Sequence, residues 1–293
     1  MSNIISLELI QYMDLPKKES ECAPSVAGEE VCSRPAIIEQ MKKFIEEATH
    51  KPFKGDRKAI VAEISRLLGC DSESCVLSHT DFKSKIGHQA AEQEKRTRFK
   101  PEGPHDNDNL LNNINIDQCL TQYTHASKNF HHIPFQMIDF AYTDNGHNPL
   151  NKLNVQQDMF AKRKNCFGVV LNTDVSTGPG KHWFCLFGDF RNPKHATLEF
   201  FNSSGNIPVQ EVHEFLLKLQ KQVEYECNCE CTVEIVSNIQ IQNSRTECGP
   251  YSLYYIISRL NGIPLDTIRT IIRTRGIPDE KMLEFRKHLF RKS

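Results

Sequence analysis

One segment of the chain reads Gln242-Asn243-Ser244-Arg245-Thr246-Glu247-Cys248-Gly249-Pro250-Tyr251. An apolar run from Leu253 to Ile257 follows, so Cys248 is expected to lie where a loop turns into a buried helix. Helix N-termini carry unpaired N–H groups and partial positive charge, which favour a reactive thiolate of low pKa. Gln242 lies six positions before Cys248, where its side-chain amide could donate to a developing oxyanion. The segment therefore predicts the nucleophile of a cysteine protease.

Length and composition describe an ordinary folded protein. With 293 residues, the chain has room for one large domain, or for a core domain and a smaller one. A net charge of −1 gives no global attraction to nucleic acid or to a membrane surface. No run of about 18 apolar residues occurs, which predicts no membrane span, and Met1–Pro16 lacks the basic start of a signal peptide. Eleven cysteines without a signal peptide favour free thiols in a reducing compartment.

The periodicity of apolar residues divides the chain into two parts. Apolar residues recur at helical spacing over 37–45 and again over 60–68, which predicts two amphipathic helices. The clearest linker is Pro101–Asn109, where Pro, Gly, Asn and Asp cluster. Beyond it, short apolar runs bounded by turn residues predict strands mixed with helices. We therefore expect a helical N-terminal arm domain over 1–103 and an α+β core domain over 104–293.

Two strands of the core are expected to carry the partners of Cys248. His182 opens one apolar strand, and Asn202 follows the next strand along the chain. In an antiparallel hairpin, the start of one strand lies beside the end of the next. The Asn202 amide oxygen is then in reach of one ring nitrogen of His182, and the other nitrogen is available to Cys248. Each residue alone has a plainer interpretation, as a polar strand end, a turn residue or a buried thiol; their joint order favours catalysis.

Other cysteines raise the possibility of a metal site. Cys70 and Cys75 form a C-x4-C pair that could indicate a metal site or a disulfide, and a structural turn is favoured over the metal site. Cys227, Cys229 and Cys231 would share one face of a strand, which could suit a soft metal. No fourth ligand is evident for them, so a partly exposed row of thiols is the favoured interpretation. We predict no metal and no cofactor.

Three motifs resemble the signature of the SUMO-specific and adenoviral cysteine proteases: Lys181-His182-Trp183, Phe201-Asn202-Ser203 and Gln242-x5-Cys248-Gly249. The match is closer to the branch that includes the African swine fever virus polyprotein protease. The segments with this closer match are Leu171-Asn172-Thr173-Asp174, Ser176-Thr177-Gly178, Gly180-Lys181-His182-Trp183, Phe201-Asn202-Ser203, Gly205-Asn206, Thr246-Glu247-Cys248-Gly249-Pro250-Tyr251-Ser252-Leu253, Cys70-Asp71-Ser72-Glu73-Ser74-Cys75-Val76 and His288-Leu289-Phe290-Arg291. The resemblance implies a papain-like α+β core, with a central mixed sheet and flanking helices, behind a mainly helical arm.

The same resemblance implies a role for each site residue. His182 would be the general base and acid, Asn202 its orienting partner, Cys248 the nucleophile and Gln242 the oxyanion donor. Cellular members of the SUMO-protease family usually have Asp where this chain has Asn202, and papain-like enzymes work with Asn. Trp183, the only tryptophan, is expected to roof the cleft beside His182, so that only glycine fits at the cut.

The substrates implied are viral structural polyproteins, cleaved after Gly-Gly pairs during virion maturation. The expected location is the host cytoplasm, in viral factories, and the virion. Two alternatives stay open: removal of SUMO or other ubiquitin-like proteins from host conjugates, and a non-catalytic interaction module that keeps the fold.

Overall fold

The N-terminal part of the computed structural model is helical. The structure describes residues 9–104, 109–142, 149–236, 238–274 and 276–292. Asp56 caps the second helix by accepting a hydrogen bond from the N–H of Ala59. The α-helices of this part are α1 (Pro35–Thr49), α2 (Arg57–Leu68), α3 (Glu73–Ser78), α4 (Thr80–Ile86) and α5 (His88–Arg98), and 3-10 turns span Leu9–Tyr12 and Pro24–Val26. Residues 105–108 of the predicted linker Pro101–Asn109 lie outside the described residues.

A six-stranded mixed sheet forms the centre of the C-terminal part. Its strands are β1 (Phe130–His132), β2 (Gln136–Met137), β3 (Cys166–Asn172), β4 (Trp183–Asp189), β5 (His195–Phe201) and β6 (Glu230–Ile235). The strand order is β1-β3-β4-β5-β6, and β2 pairs with β3. Strands β3, β4 and β5 are antiparallel, whereas β1 and β6 run parallel to their neighbours. The α+β class with a central mixed sheet is thereby confirmed.

Helices cover both faces of this sheet. The helices of this part are α6 (Asn113–Ala126), α7 (Gln210–Cys227), α8 (Cys248–Leu260), α9 (Leu265–Thr274) and α10 (Asp279–Leu289), and a π-helical turn spans Val155–Phe160. The apolar face of α7 packs against one side of the sheet, and α8 packs against the other side. Every residue of α8 from Cys248 to Arg259 is buried. A helix that is buried all round is fixed by its neighbours, so its first residue has a well-defined position.

The arm has a hydrophobic core of its own and also packs on the C-terminal part. Apolar side chains between Cys22 and Phe99 form the separate core. Leu9 and Met13, in contrast, join the cluster that contains α8. Gly103 lies directly against the ring of Phe290, which leaves no room for a side chain at position 103. The division of the chain at 103 stays a prediction.

The cysteines differ from the sequence prediction. Disulfides join Cys22 to Cys32 and Cys70 to Cys75, so the expectation that all thiols are free is wrong. The three cysteines after position 226 do not share a strand face: Cys227 ends α7, the intervening Asn228 has left-handed backbone, and only Cys231 lies in β6. Seven cysteines have free thiols. Within the described ranges, no helix is long and apolar enough to span a bilayer.

Candidate active site

The β4–β5 hairpin brings His182 and Asn202 together, as the sequence predicts. His182 directly precedes β4 and Asn202 directly follows β5, and the antiparallel register places the two at one end of the sheet. Nε2 of His182 lies 2.7 Å from Oδ1 of Asn202. The same oxygen accepts hydrogen bonds from the N–H of Ser204 at 3.0 Å and from its hydroxyl at 2.9 Å. Because an amide oxygen only accepts, Nε2 carries the proton and the neutral ring keeps its lone pair on Nδ1.

Cys248 is the first residue of α8 and is 1% exposed. Burial raises the pKa of the Cys248 thiol. Backbone N–H groups of Trp183, Gly249 and Cys248 itself oppose this by stabilising the thiolate. Since Trp183 directly follows His182, its N–H at the thiol places the start of β4 beside the nucleophile.

The electrostatics of this pair differ from the sequence prediction. Burial also lowers the pKa of His182, although the hydrogen bond to Asn202 works in the opposite direction. A raised thiol pKa and a lowered imidazole pKa both favour the uncharged pair at neutral pH. The prediction of a low-pKa thiolate at Cys248 is therefore wrong for the free protein. Burial of the two groups instead favours a neutral thiol at Cys248 and a neutral imidazole at His182.

Gln242 is buried in the loop before α8, and its side chain has a fixed orientation. Its Nε2 donates to the carbonyl of Ser244 at 2.9 Å, and its Oε1 accepts from the hydroxyl of Ser203 at 2.7 Å. A carbonyl cannot donate, so the Ser244 contact identifies the amide nitrogen. That nitrogen carries two hydrogens, and the Ser244 carbonyl accepts one of them.

Trp183 is held beneath the segment that enters the core from the arm. Its indole N–H donates to the carbonyl of Leu111 at 2.9 Å, and its ring packs edge-on against Phe135. Trp183 as a whole is 7% exposed. Leu111 also covers Gly249, where a Cβ atom would meet Leu111 carbon atoms at 3.1 Å. The segment around Leu111 therefore lies over both the tryptophan and the start of α8.

A groove of about 360 Å³ begins at this point. Trp183, Leu110 and Leu111 line one part of it, and the β3–β4 loop lines another. Asn172 holds that loop closed by accepting from the N–H groups of Asp174 and Lys181, both at 2.9 Å. A larger cavity of about 880 Å³ lies at the junction of arm and core, and its charged lining is partly paired internally. The smaller groove is the better candidate for substrate because it adjoins Trp183 and the loop before His182.

Sequence reasoning missed two residues that organise the site. Ser203 links the strand that carries Asn202 to the loop that carries Gln242, since its carbonyl also accepts from the N–H of Gln242 at 3.1 Å. Leu111 lies just after the polar linker Pro101–Asn109, and no role was predicted for it from the sequence. An isolated apolar pair, Leu110-Leu111, among Asn and Asp residues is the signal that could have revealed a docking point there.

This chain is similar in sequence and in fold to known proteins over nearly its whole length. It is 36% identical over 283 residues to the cysteine protease S273R of African swine fever virus from a tick isolate from Malawi, covering 93% of this chain and 95% of the relative. It is 35% identical, with the same coverage, to the SUMO-1 cysteine protease S273R of a Kenyan pig isolate. The crystal structure of the African swine fever virus pS273R protease matches with a TM-score of 0.75 and 32% identity, over 95% of this chain and 98% of that one. No protein-family model matches.

Proposed function

This chain is a cysteine protease that belongs to the family of the African swine fever virus S273R proteases, and from that membership we propose that it cleaves viral structural polyproteins after Gly-Gly pairs. The hydrogen bond between His182 and Asn202, at the sheet end beside the buried thiol of Cys248, is the observation that supports the site assignment. Both residues and the thiol are presented by a rigid hairpin and a buried helix. Such preorganisation is what acyl transfer requires.

Acylation starts from the neutral pair. His182 Nδ1 takes the proton of the Cys248 thiol as Sγ attacks the carbonyl carbon of the scissile bond, and the carbonyl electrons move to oxygen. Gln242 Nε2 and the backbone N–H of Cys248 donate to this oxyanion. The C–N bond then breaks, the proton on Nδ1 passes to the leaving amine, and a thioester on Cys248 remains.

Deacylation uses the same groups in reverse. His182 Nδ1 takes a proton from water as the water oxygen attacks the thioester carbonyl. The C–S bond breaks, the proton on Nδ1 passes to sulfur, and the product leaves as a carboxylic acid that loses its proton to solvent. Asn202 keeps Nε2 protonated throughout, so that Nδ1 is the nitrogen that exchanges protons.

The shape around Trp183 supports glycine at the cut. The ring is fixed from behind by Leu111 and Phe135, so it cannot swing aside to admit a side chain. A segment that must pass between such a ring and the thiol of Cys248 fits best without a Cβ atom. We therefore assign Trp183 to substrate binding next to the scissile bond.

A peptide library centred on Gly-Gly, digested and analysed by mass spectrometry, tests the assignment. We expect cleavage after the second glycine and none with Cys248→Ala. Replacement of either glycine by alanine should lower kcat/KM on the order of 10²-fold or more, because a misplaced reacting bond is costly. Equal cleavage of Gly-Gly and Ala-Ala peptides would contradict the glycine specificity.

A second candidate is release of SUMO or related ubiquitin-like proteins from conjugates. One relative carries the name SUMO-1 cysteine protease, which favours this candidate. Parallel digestion of a SUMO conjugate and of a Gly-Gly polyprotein decides between the two. Release of SUMO without cleavage of the polyprotein would establish this second function and reject the first.

We also propose that the enzyme acts in the host cytoplasm, in viral factories, and in the virion. The two disulfides of the arm support the virion, because disulfides persist outside the reducing cytosol. Immunoblotting of purified virions and of cytoplasmic fractions tests this, and absence from both would contradict it.

A further inference from the structure

Helix α10 holds the loop that joins Gln242 to Cys248 at both ends of that loop. Asp279, the first residue of α10, accepts from the N–H groups of Asn243 at 3.0 Å and Ser244 at 2.7 Å through one carboxylate oxygen. Its other oxygen lies 3.0 Å from the hydroxyl of Tyr251 in α8, which also contacts the carbonyl of Ile277. One carboxylate therefore ties the start of the loop to the nucleophile helix.

Arg286 holds the other end of the same loop. It lies two turns after Asp279, so both side chains project from one face of α10. Nε and Nη2 of Arg286 each bond one carboxylate oxygen of Glu247 at 3.0 Å, and Nη2 also donates to the carbonyl of Thr246 at 3.1 Å. Arg286 and Glu247 are 0% and 1% exposed in their side chains. A bidentate, buried pair of this kind fixes direction as well as distance.

Glu247 directly precedes Cys248, and Ser244 lies two residues after Gln242. A small displacement of either loop end therefore moves the thiol relative to the amide. Arg286 also donates to the carbonyl of Asn109 at 2.7 Å, two residues before Leu111. The segment that covers Trp183 is thereby connected to the same guanidinium.

The arm contacts α10 as well. Lys100 donates to the carbonyl of Lys287 at 3.1 Å, and Nδ1 of His288 lies 2.7 Å from the carbonyl oxygen of Pro16. The side chains of α10 therefore reach the nucleophile loop, and its C-terminal turn is fixed by the arm.

We propose that Asp279 and Arg286 are positioning residues for catalysis, which set the relation between the Cys248 thiol and the Gln242 amide through the Asn243–Glu247 loop. This inference rests on the roles given to Cys248 and Gln242 in the proposed function. Asp279 and Arg286 touch neither substrate nor the reacting atoms. Their effect is on the loop geometry, so it should appear in kcat and not in KM.

Two pairs of variants separate positioning from stability. Asp279→Ala removes the acceptor for the loop N–H groups, whereas Asp279→Asn keeps an amide oxygen that can accept both. Arg286→Lys keeps the charge but cannot hold two oxygens of Glu247 together with the carbonyl of Thr246. Arg259→Lys is the matched control, because Arg259 makes an equally buried bidentate pair with Glu199 near the far end of α8.

We expect Asp279→Ala and Arg286→Lys to lower kcat on the order of 10- to 100-fold, with KM within about twofold, as expected for a displaced reacting group. Asp279→Asn should restore most of the loss. Arg259→Lys should lower Tm at least as much as Arg286→Lys while it leaves kcat per folded molecule near the wild-type value. If Asp279→Ala and Arg286→Lys lower Tm alone, with wild-type kcat, the two residues are structural and the proposal fails.

A second experiment tests the positioning role without any substrate: the rate at which iodoacetamide alkylates Cys248 is measured across a range of pH. This rate depends on the surroundings of the thiol and not on Gly-Gly recognition. We expect Asp279→Ala to change the pH–rate profile of Cys248 alkylation and Arg259→Lys to leave it unchanged. If the wild-type protein cleaves no Gly-Gly peptide but the profiles differ in this way, the proposed substrate is wrong and the positioning role stands. Identical profiles for all variants would count against the positioning role.

Discussion

Ser203 donates its hydroxyl hydrogen to Oε1 of Gln242 at 2.7 Å, so the residue after Asn202 orients the amide expected to bind the oxyanion. The carbonyl of Ser203 accepts from the backbone N–H groups of Ile241 and Gln242 as well. Ser203 is therefore the neighbour of Asn202 in sequence and the hydrogen-bond partner of Gln242. It connects the residue expected to orient the imidazole with the residue expected to bind the oxyanion.

Ser203→Ala is expected to lower kcat about 3- to 10-fold, because the Gln242 amide loses one neutral hydrogen bond and can rotate. KM should change little, since the oxyanion forms only during the reaction. Steady-state kinetics on a Gly-Gly peptide measure both. Ser258→Ala is the control, because Ser258 is also fully buried but contacts Met13 at the far end of α8. Equal losses in both variants would mean that the Ser203 effect is general destabilisation.

Asn202→Asp is expected to move the acid limb of kcat/KM to higher pH by about one unit or more. Burial lowers the pKa of His182, so in the wild-type protein the imidazole loses its proton below the ordinary histidine range. A carboxylate at position 202 favours the imidazolium and raises that pKa. A pH profile of kcat/KM measures the shift. Asn206→Asp adds the same charge to an exposed position of the same loop and should leave the limb nearly unchanged.

Alkylation of Cys248 in the free protein is expected to be slow at pH 6 and to accelerate as pH rises into the alkaline range. The reason is that burial raises the pKa of the thiol above its ordinary value, so little thiolate exists in mild acid. Iodoacetamide labelling, followed peptide by peptide in the mass spectrometer, separates Cys248 from the other six free thiols. Rapid, selective labelling of Cys248 at pH 6 would instead indicate a preformed thiolate–imidazolium pair.

The pairing of His182 with Asn202 could be predicted from sequence because it depends on one hairpin. Two consecutive strands bring their outer ends together whatever packs around them. The predicted helices at 37–45 and 60–68 correspond to α1 and α2 for a similar reason, since helical periodicity is local. Helices with a periodic apolar face and pairs of consecutive strands can therefore be predicted from the sequence alone.

Long-range partners of the site could not be predicted in this way. Trp183 bonds to Leu111 across 72 positions, and Arg286 bonds to Glu247 across 39. Nothing in the local pattern of either segment identifies the other. The pKa of Cys248 was mispredicted for a related reason: the helix N-terminus is visible in sequence, but the burial that outweighs it depends on the packing of several elements.

Gly205→Ala is expected to damage both stability and activity, because Gly205 meets two separate constraints. Its φ is +77°, and a Cβ there would lie 2.4 Å from the backbone nitrogen of Gln240, in the segment that leads to Gln242. Left-handed backbone alone costs a side chain about 1–2 kcal/mol. The contact with Gln240 adds to this, since the backbone has to move away and takes the Gln242 loop with it.

Gly262→Ala separates the two constraints. Gly262 has nearly the same φ of +78°, but no atom lies within 4 Å of its Cβ position. We expect Gly262→Ala to lower Tm by only a few degrees, because it adds the backbone strain alone. Its kcat per folded molecule should be unchanged. Gly205→Ala should lower Tm further and lower kcat as well. Thermal unfolding and steady-state kinetics on the two variants, side by side, test this. If the two behave alike, the close approach of Gly205 to Gln240 has no influence on the active site.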